Sequence, residues 1–307
     1  MKFKKWSNDI VSYDLGDGFY LEKACFQEYC NCYAIYSLYD NANCWFDKSY
    51  DIMKSTLDEE DPAFWIVKDN KRIGGVFMSP NELSELFLIP PFTKIEIVME
   101  KLLKILLFWS DDSKDIFLES IIDKNMIEYC EKNKFIVNDS GKWMIRPTEK
   151  IEVIWEDKYF VCQPKREDEL KIGALLYEAF EENNEIKTSY SLEEYTGWVT
   201  EYFDDFLEDD LLNRASTLVY DKKTNELIGV CYISLWKEWP LISQIAVKPS
   251  YQGRGIGSKM IKMALNTLKE EYDALRLYVE VGNEAEKVYS SLGFLSGKEI
   301  VQLKFND

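Results

Sequence analysis

The sequence contains no histidine. This absence excludes Ser-His and Cys-His catalysis, zinc sites with imidazole ligands, and histidine general bases. The seven cysteines are scattered and include no Cys-x-x-Cys pair, which favours reduced, mostly buried thiols. Nothing in their spacing indicates a metal site. Any chemistry must therefore come from other side chains or from the backbone.

Long apolar runs and an excess of positive charge are also missing. The densest apolar patch, residues 105–109, is much shorter than a membrane span, and no apolar region follows the basic N-terminal residues. The 37 basic and 55 acidic residues give a formal charge of −18, which disfavours nucleic acid and anionic membranes as partners. We expect a soluble, cytoplasmic protein. Its charge favours a cationic substrate, although an acidic surface can also serve solubility alone.

The chain does have the length and apolar content for two folded domains, with 307 residues of which 46% are hydrophobic. Its halves repeat one predicted order: a hairpin, a strand ended by proline, a long helix, a strand, a short helix and a strand. Residues 73–76 align with 227–230, residues 88–90 with 247–249, and residues 133–135 with 292–294. We predict two copies of one α/β domain, at residues 1–148 and 149–307.

Hydrophobic periodicity and turn residues locate the individual elements. Ser191 and Glu194 form a predicted capping box at the start of one helix. The predicted helices cover residues 19–39 (one or two helices), 49–57, 95–109, 124–133, 168–182, 191–206, 256–268 and 284–292. The predicted strands cover 64–67, 73–78, 85–89, 116–121, a pair within 135–145, 158–162, 216–220, 227–236, 242–247, 275–281 and closing strands within 294–305.

A glycine-rich stretch, Gln252-Gly253-Arg254-Gly255-Ile256-Gly257, separates the strand that ends near Val247 from the helix that follows. A strand, a glycine-rich turn and a helix present free backbone N–H groups at a helix N-terminus, where they can bind a phosphate or pyrophosphate. Glycine lets the oxygens of an anion approach the backbone closely. A Rossmann dinucleotide site would instead need Gly-x-Gly-x-x-Gly near the first strand of its domain.

A second pattern follows in the same half: Ala285, then Tyr289-Ser290-Ser291-Leu292-Gly293-Phe294. The two patterns in this order resemble the phosphate-cradle and Ala…Tyr-x-x-x-Gly-Phe signatures of the GNAT (N-acetyltransferase) superfamily. The resemblance covers most of residues 157–307. It implies an α/β fold with a splayed, mostly antiparallel mixed sheet flanked by helices, which binds acetyl-CoA between its fourth and fifth strands.

The resemblance also implies roles for particular residues. Tyr289 would protonate the departing thiolate as a general acid. Many members carry an asparagine three residues before the alanine; Gly282 occupies that position here, so the adjacent Asn283 would contact acetyl-CoA only in a shifted register. The implied contacts with acetyl-CoA comprise the backbone of Ile245, Ala246 and Val247 along the pantetheine arm, and Gln252, Gly253, Arg254, Gly255, Ile256, Gly257 and Ser258 around the pyrophosphate.

The general base is less well marked. Family members often carry a carboxylate just before the bulge of the fourth strand, where this chain has Ser243 and Gln244, which cannot act as bases. Glu238 and Glu280 are the nearest carboxylates in the sequence, and either could deprotonate the amine directly or through water. Each could equally be a solvated surface charge.

The first half lacks the cradle. It reads Pro90-Pro91-Phe92-Thr93-Lys94 at the matching position, with no glycine and with two prolines that have no N–H. Cys130 stands where the second half has Tyr289, either as a buried structural thiol or as a nucleophile of low pKa. We interpret residues 1–148 as a degenerate copy.

The leading hypothesis is therefore an N-acetyltransferase without a metal. It would move an acetyl group from acetyl-CoA to a primary amine of a cationic small molecule or peptide, by direct attack. One alternative is a non-catalytic CoA-binding sensor or interaction module, and another is a transferase for a different acyl-CoA. Neither nucleic acid nor a membrane is expected as a partner, and a homodimer remains an open option.

Overall fold

The computed structural model describes residues 4–38, 62–181 and 190–306. The chain divides into two compact units. The first comprises residues 1–143, 279–283 and 297–307, and the second comprises residues 144–278 and 284–296. The first unit thus takes in two short segments from late in the chain. The predicted helix at 49–57 and Cys44 lie outside the described residues.

Strands and helices alternate along the chain. The strands are β1 (Ser12–Gly16), β2 (Phe19–Lys23), β3 (Ala63–Lys68), β4 (Lys71–Ser79), β5 (Glu82–Leu88), β6 (Phe117–Ile121), β7 (Phe135–Pro147), β8 (Tyr159–Cys162), β9 (Thr217–Asp221), β10 (Glu226–Trp236), β11 (Trp239–Val247), β12 (Ala274–Glu280) and β13 (Leu295–Phe305). The α-helices are α1 (Phe26–Tyr33), α2 (Ile95–Trp109), α3 (Lys124–Lys132), α4 (Glu169–Glu181), α5 (Leu192–Phe206), α6 (Asp210–Ala215), α7 (Ile256–Leu268) and α8 (Ala285–Ser291).

The first unit is built on a sheet in the order β1-β2-β3-β4-β5-β6-β13-β7. Strand β3 is buried on both faces. Its Phe64 and Ile66 belong to a core formed with α2, whereas Trp65 belongs to a second cluster with Tyr29 of α1. Helices therefore cover both faces of this sheet, which accounts for the continuous apolar sequence of β3.

The second unit has strands in the order β12-β11-β10-β9-β8. Helices α4 and α5 pack against one another and against Val230 and Tyr232 of β10. Helix α7 buries a stripe at helical spacing that includes Ile256, Met260 and Ala264. The predicted capping box is confirmed, because the Ser191 hydroxyl accepts from the Glu194 amide and the Glu194 carboxylate accepts from the Ser191 amide.

The two units share one topology. In the first, β5 and β6 pair in parallel, and in the second, β11 and β12 do the same. The amide of Ile89 donates to the Ile73 carbonyl (2.8 Å), and that of Lys248 donates to the Ile228 carbonyl (2.9 Å). This register makes Gly74 the counterpart of Gly229, so the alignment predicted from the sequence was wrong by one residue there.

Three predictions of local structure were wrong. Residues 19–23 form β2 rather than helix, because Phe19 and Leu21 are buried alternately on a strand while Glu22 is exposed. The expected strand pair within 135–145 is the single strand β7, which continues through the Asp139–Gly141 stretch. The closing strands within 294–305 are likewise the single strand β13.

Among the described residues, no helix is both long enough and apolar enough to cross a membrane.

Candidate active site

The candidate site starts where β11 and β12 separate. Their parallel ladder contains only the pairs Leu241–Arg276 and Ile242–Leu277. Beyond these pairs β11 continues, antiparallel to β10, to Val247, which lies opposite Gly229. Ser243 is an extra residue between Ile242 and Gln244 in the ladder with β10, a β-bulge that bends β11.

This separation gives Ile245, Ala246 and Val247 a particular position. Each has a partner on β10, in the pairs Ile245–Cys231, Ala246–Val230 and Val247–Gly229. The ladder with β12 ends before them, so their second strand edge faces the gap between β11 and β12. A strand edge of this kind can pair with an extended chain by backbone hydrogen bonds.

The glycine-rich stretch forms a tight turn into α7. Gly253 and Gly255 have φ of 71° and 74°, a left-handed conformation that glycine adopts at little cost. A Cβ atom at either position would meet nothing within 4 Å. Glycine is therefore required here by backbone conformation, while the space above it lies open to a ligand.

Helix α7 presents its first-turn amides at this turn. Gly255 is its N-cap residue and has no side chain to cap those amides. The amide of Lys259 donates to the Gly255 carbonyl (3.0 Å), so the preceding amides are those that an α-helix leaves without an intrahelical acceptor. Together with the helix dipole they suit an anion, and Ile256, Gly257 and Ser258 form the first turn.

Side chains of the stretch brace the turn rather than fill it. Gln252 donates from Nε2 to the Val247 carbonyl (3.1 Å). Arg254 donates to the Ser250 carbonyl (2.8 Å) and stacks its guanidinium over the Tyr251 ring at 4.7 Å. These contacts hold the turn in one conformation, which lowers the entropic cost of binding a ligand there.

Two anchors of this turn were missed by the sequence analysis. Lys248 forms ion pairs with Glu226 and, at 3.1 Å, with Glu178, and these carboxylates raise the pKa of its ammonium group. The Tyr251 hydroxyl donates to the Asp221 carboxylate (3.1 Å). Because the partners come from other elements, no local sequence pattern marks them.

Tyr289 lies on α8 in the same unit as the cradle. Its side chain is buried, and burial raises the pKa of the phenol to about 12, with a further contribution from Cys231. Burial likewise raises the pKa of the Cys231 thiol to about 12. Since Cys231 lies opposite Ile245 on β10, it connects Tyr289 to the strand that borders the gap.

The candidate bases lie elsewhere. Glu238 is exposed in the two-residue turn before β11, at the opposite end of that strand from the cradle. Glu280 and Asn283 belong to the segment 279–283 of the first unit, where the Val281 amide donates to the Ser140 carbonyl (2.9 Å). Burial and then the charge of Asp139 raise the pKa of Glu280.

The first unit has no comparable cradle. Phe92 packs against the hydrophobic core, and Lys94, the N-cap residue of α2, makes no capping hydrogen bond through its side chain. Cys130 is fully buried, and burial raises its thiol pKa to about 12, so it is not a thiolate at neutral pH. Among the described residues, no group of three or more His, Cys, Asp or Glu side chains could hold a metal ion.

Comparisons with known proteins agree with this geometry. The acetyltransferase (GNAT) family matches residues 176–294. A Bacillus subtilis (strain 168) protein, provisionally named a ribosomal protein bS18-alanine N-acetyltransferase, is 31% identical over 97 residues, which are 31% of this chain and 64% of that protein. The match therefore covers less than two thirds of that relative.

Two solved structures resemble the whole chain. A GCN5-related N-acetyltransferase from Sphaerobacter thermophilus has a TM-score of 0.64 at 14% identity, with 95% of this chain and 96% of that chain covered. A tandem GNAT protein from the clavulanic acid biosynthesis pathway has a TM-score of 0.53 at 12% identity, with 93% and 98% covered. At these identities the likeness concerns the fold, and it agrees with the predicted mixed α/β architecture.

Proposed function

Because the chain belongs to the acetyltransferase (GNAT) family through residues 176–294, we propose that it transfers an acetyl group from acetyl-CoA to a primary amine of a cationic substrate. The observation that carries the proposal is the open, glycine-capped N-terminus of α7, directly after the separating strand β11. The formal charge of −18 supports a cationic acceptor.

In this proposal the second unit binds acetyl-CoA mainly through its backbone. The amides of Gly253 to Ser258 would hold the pyrophosphate, since they combine free N–H groups with the positive end of the α7 dipole. The strand edge from Ile245 to Val247 would pair with the amides of the pantetheine arm. When bound, acetyl-CoA supplies an activated thioester carbonyl.

Tyr289 would serve as the general acid. As the amine nitrogen bonds to the carbonyl carbon and the C–S bond breaks, negative charge develops on the sulfur. The Tyr289 hydroxyl would donate its proton there, and the pKa of about 12 keeps this hydroxyl protonated throughout the neutral range. The proton lost by the amine replaces it through solvent.

The amine must lose a proton before it attacks, and Glu238 and Glu280 are the proposed bases. Glu238→Gln and Glu280→Gln remove the carboxylate charge with little change in size. The variant that lacks the base should lose about 100-fold in kcat/KM at pH 7, and the loss should shrink at high pH as free amine accumulates. If both variants keep wild-type rates at pH 7, neither glutamate is the base.

The activity itself is tested by measuring CoA release from acetyl-CoA with a panel of amines. The panel contains a polyamine, an aminoglycoside, a lysine peptide and a peptide with an N-terminal alanine, the last chosen because the Bacillus subtilis relative is named for such a substrate. Release above buffer hydrolysis supports acetyl transfer. A thermal shift with acetyl-CoA but no release with any amine would favour the non-catalytic sensor.

Gly255→Asp tests the cradle directly. A carboxylate at this position would face the pyrophosphate, so the affinity for acetyl-CoA should fall at least about 100-fold in calorimetric titrations. Because a Cβ atom at Gly255 meets nothing within 4 Å, the change does not crowd the fold.

Gly197→Asp is the matched control. Gly197 lies on α5, where a Cβ atom also meets nothing within 4 Å, so this variant adds the same charge away from the cradle. Its affinity for acetyl-CoA should stay within about twofold of wild type. Equal affinities of the two variants would mean that the cradle has been misidentified.

A further inference from the structure

The first unit contains a cleft of its own. Strands β5 and β6 pair in parallel at only two positions, of which Leu83–Leu118 is the second. A cleft of about 900 Å³ is lined by Leu86 from β5 and by Glu119 to Ile121 from β6. In topology this cleft matches the gap between β11 and β12 in the second unit, and its size suits a small organic ligand.

This cleft is not equipped for a pyrophosphate. The chain enters α2 through Pro90 and Pro91, which have no N–H to donate. Phe92 packs against the core, and no glycine with a left-handed conformation precedes the helix. The ligand of this cleft should therefore differ from acetyl-CoA.

One carboxylate in the cleft is set apart by its surroundings. Glu119 is half-buried and accepts a hydrogen bond from Gln302 Nε2 (2.7 Å). The other lining carboxylates, Asp123 and Glu299, are exposed, and Asp123 already accepts from the Met126 amide as an N-cap. Glu119 is thus the lining carboxylate that water solvates least.

The charges near Glu119 are negative. Burial and then the charges of Glu82 and Asp139 raise the pKa of Glu119, against the hydrogen bond from Gln302, which lowers it. The cleft also contains Lys124, Lys142 and Lys298, but none of them is among the charges that shift this pKa. A cation placed beside Glu119 would therefore offset the repulsion between these carboxylates.

The remaining lining is largely apolar. It could cover the carbon chain of a ligand whose charged end lies at Glu119. The apolar side chains of the lining are Leu86, Ile121, Met126, Ile127, Val137 and Val301.

We propose that the cleft of the first unit binds an organic ammonium ion, with its cationic group on Glu119 and its carbon chain against the apolar lining. This is a binding site without the acetyl-CoA cradle, and it stands independently of the transfer reaction proposed for the second unit.

The test compares three probes of equal chain length on the full chain: hexylammonium, hexan-1-ol and hexanoate. Calorimetric titration should show that hexylammonium binds at least about tenfold more tightly than either of the others, because only it can pair with Glu119. Equal binding of hexylammonium and hexan-1-ol would overturn the proposal, as would a preference for hexanoate. This comparison needs no variant.

Glu119→Gln then locates the site. Its amide carbonyl can still accept from Gln302, but the charge is gone, so hexylammonium affinity should fall about tenfold. Glu299→Gln removes an exposed carboxylate from the same cleft and should change affinity less than about twofold. An unchanged affinity in Glu119→Gln would contradict the assignment.

Two further arms separate this proposal from the transfer reaction. Gly255→Asp, which should lose acetyl-CoA, should bind hexylammonium as wild type does. Glu119→Gln should release CoA at the wild-type rate with any amine that the wild-type chain acetylates. A loss of hexylammonium binding in Gly255→Asp would mean that the probe occupies the second unit, which would overturn the proposal.

Discussion

At the scale of single residues, the site depends on a few backbone conformations and one buried phenol. Gly253 and Gly255 both have positive φ in a region where most other residues would be strained. Tyr289 is buried on α8 beside Cys231. The glycines could be identified from the sequence because glycine is the residue that such a turn requires. The burial of Tyr289 could not, because it depends on Cys231, which lies far from it in the chain.

Tyr289→Phe should lower kcat by about 100-fold or more, because the departing thiolate loses its proton donor. The Kd for acetyl-CoA should stay within about threefold, as the cradle is unchanged. Because burial raises the phenol pKa to about 12, the wild-type rate should not decline from loss of this acid as the pH rises to 10. Steady-state rates from pH 6 to 10 and calorimetric titration check both statements.

Tyr177→Phe is the control for that variant. Tyr177 is 40% exposed on α4, and it also loses one hydroxyl, so its rate should match wild type. Wild-type turnover in Tyr289→Phe would remove Tyr289 from the mechanism.

At the scale of elements, local chemistry predicted much of the structure. Helix α2 spans Ile95–Trp109 as expected, since an apolar stripe at helical spacing is a strong signal. The turn between β3 and β4 has positive φ at Asp69 and Asn70, as a two-residue hairpin requires. The errors arose where two periodicities overlap, as in residues 19–23, whose alternating burial on β2 was hidden by neighbouring aromatics at helical spacing.

Strand pairing between distant segments was not predictable in the same way. In β13, Val301 and Leu303 pair with Ile121 and Leu118 of β6. A strand's own sequence specifies which face is buried, but it does not specify the neighbouring strand. The bulge at Ser243 is likewise visible only in the register with β10.

At the scale of the whole molecule, the sequence repeat predicted a tandem architecture, and the shared topology of the two units agrees with it. The chain is not divided once, however. Residues 279–283 and 297–307 belong to the first unit, whereas residues 284–296 belong to the second. The C-terminal segment is therefore expected to contribute to the stability of the first unit.

Leu303→Ala tests this contribution. Leu303 is fully buried in the core of the first unit, so truncation should lower the free energy of unfolding by about 2–5 kcal/mol. Urea unfolding followed by circular dichroism should show the earliest transition at lower urea. Leu295→Ala, at a 65% exposed position of the same strand, should change the free energy by less than about 0.5 kcal/mol. Equal effects would show that the segment does not support this core.

The sequence by itself determined the fold class, the repeat, and the glycine-rich entry to α7. These are properties of short segments, in which periodicity and backbone conformation depend on neighbouring residues. Tertiary structure alone decided that Lys248 is anchored by Glu178 and Glu226, that Tyr289 lies beside Cys231, and that a cleft in the first unit contains the half-buried Glu119. Each of these depends on contacts between residues far apart in the chain, which local patterns do not encode.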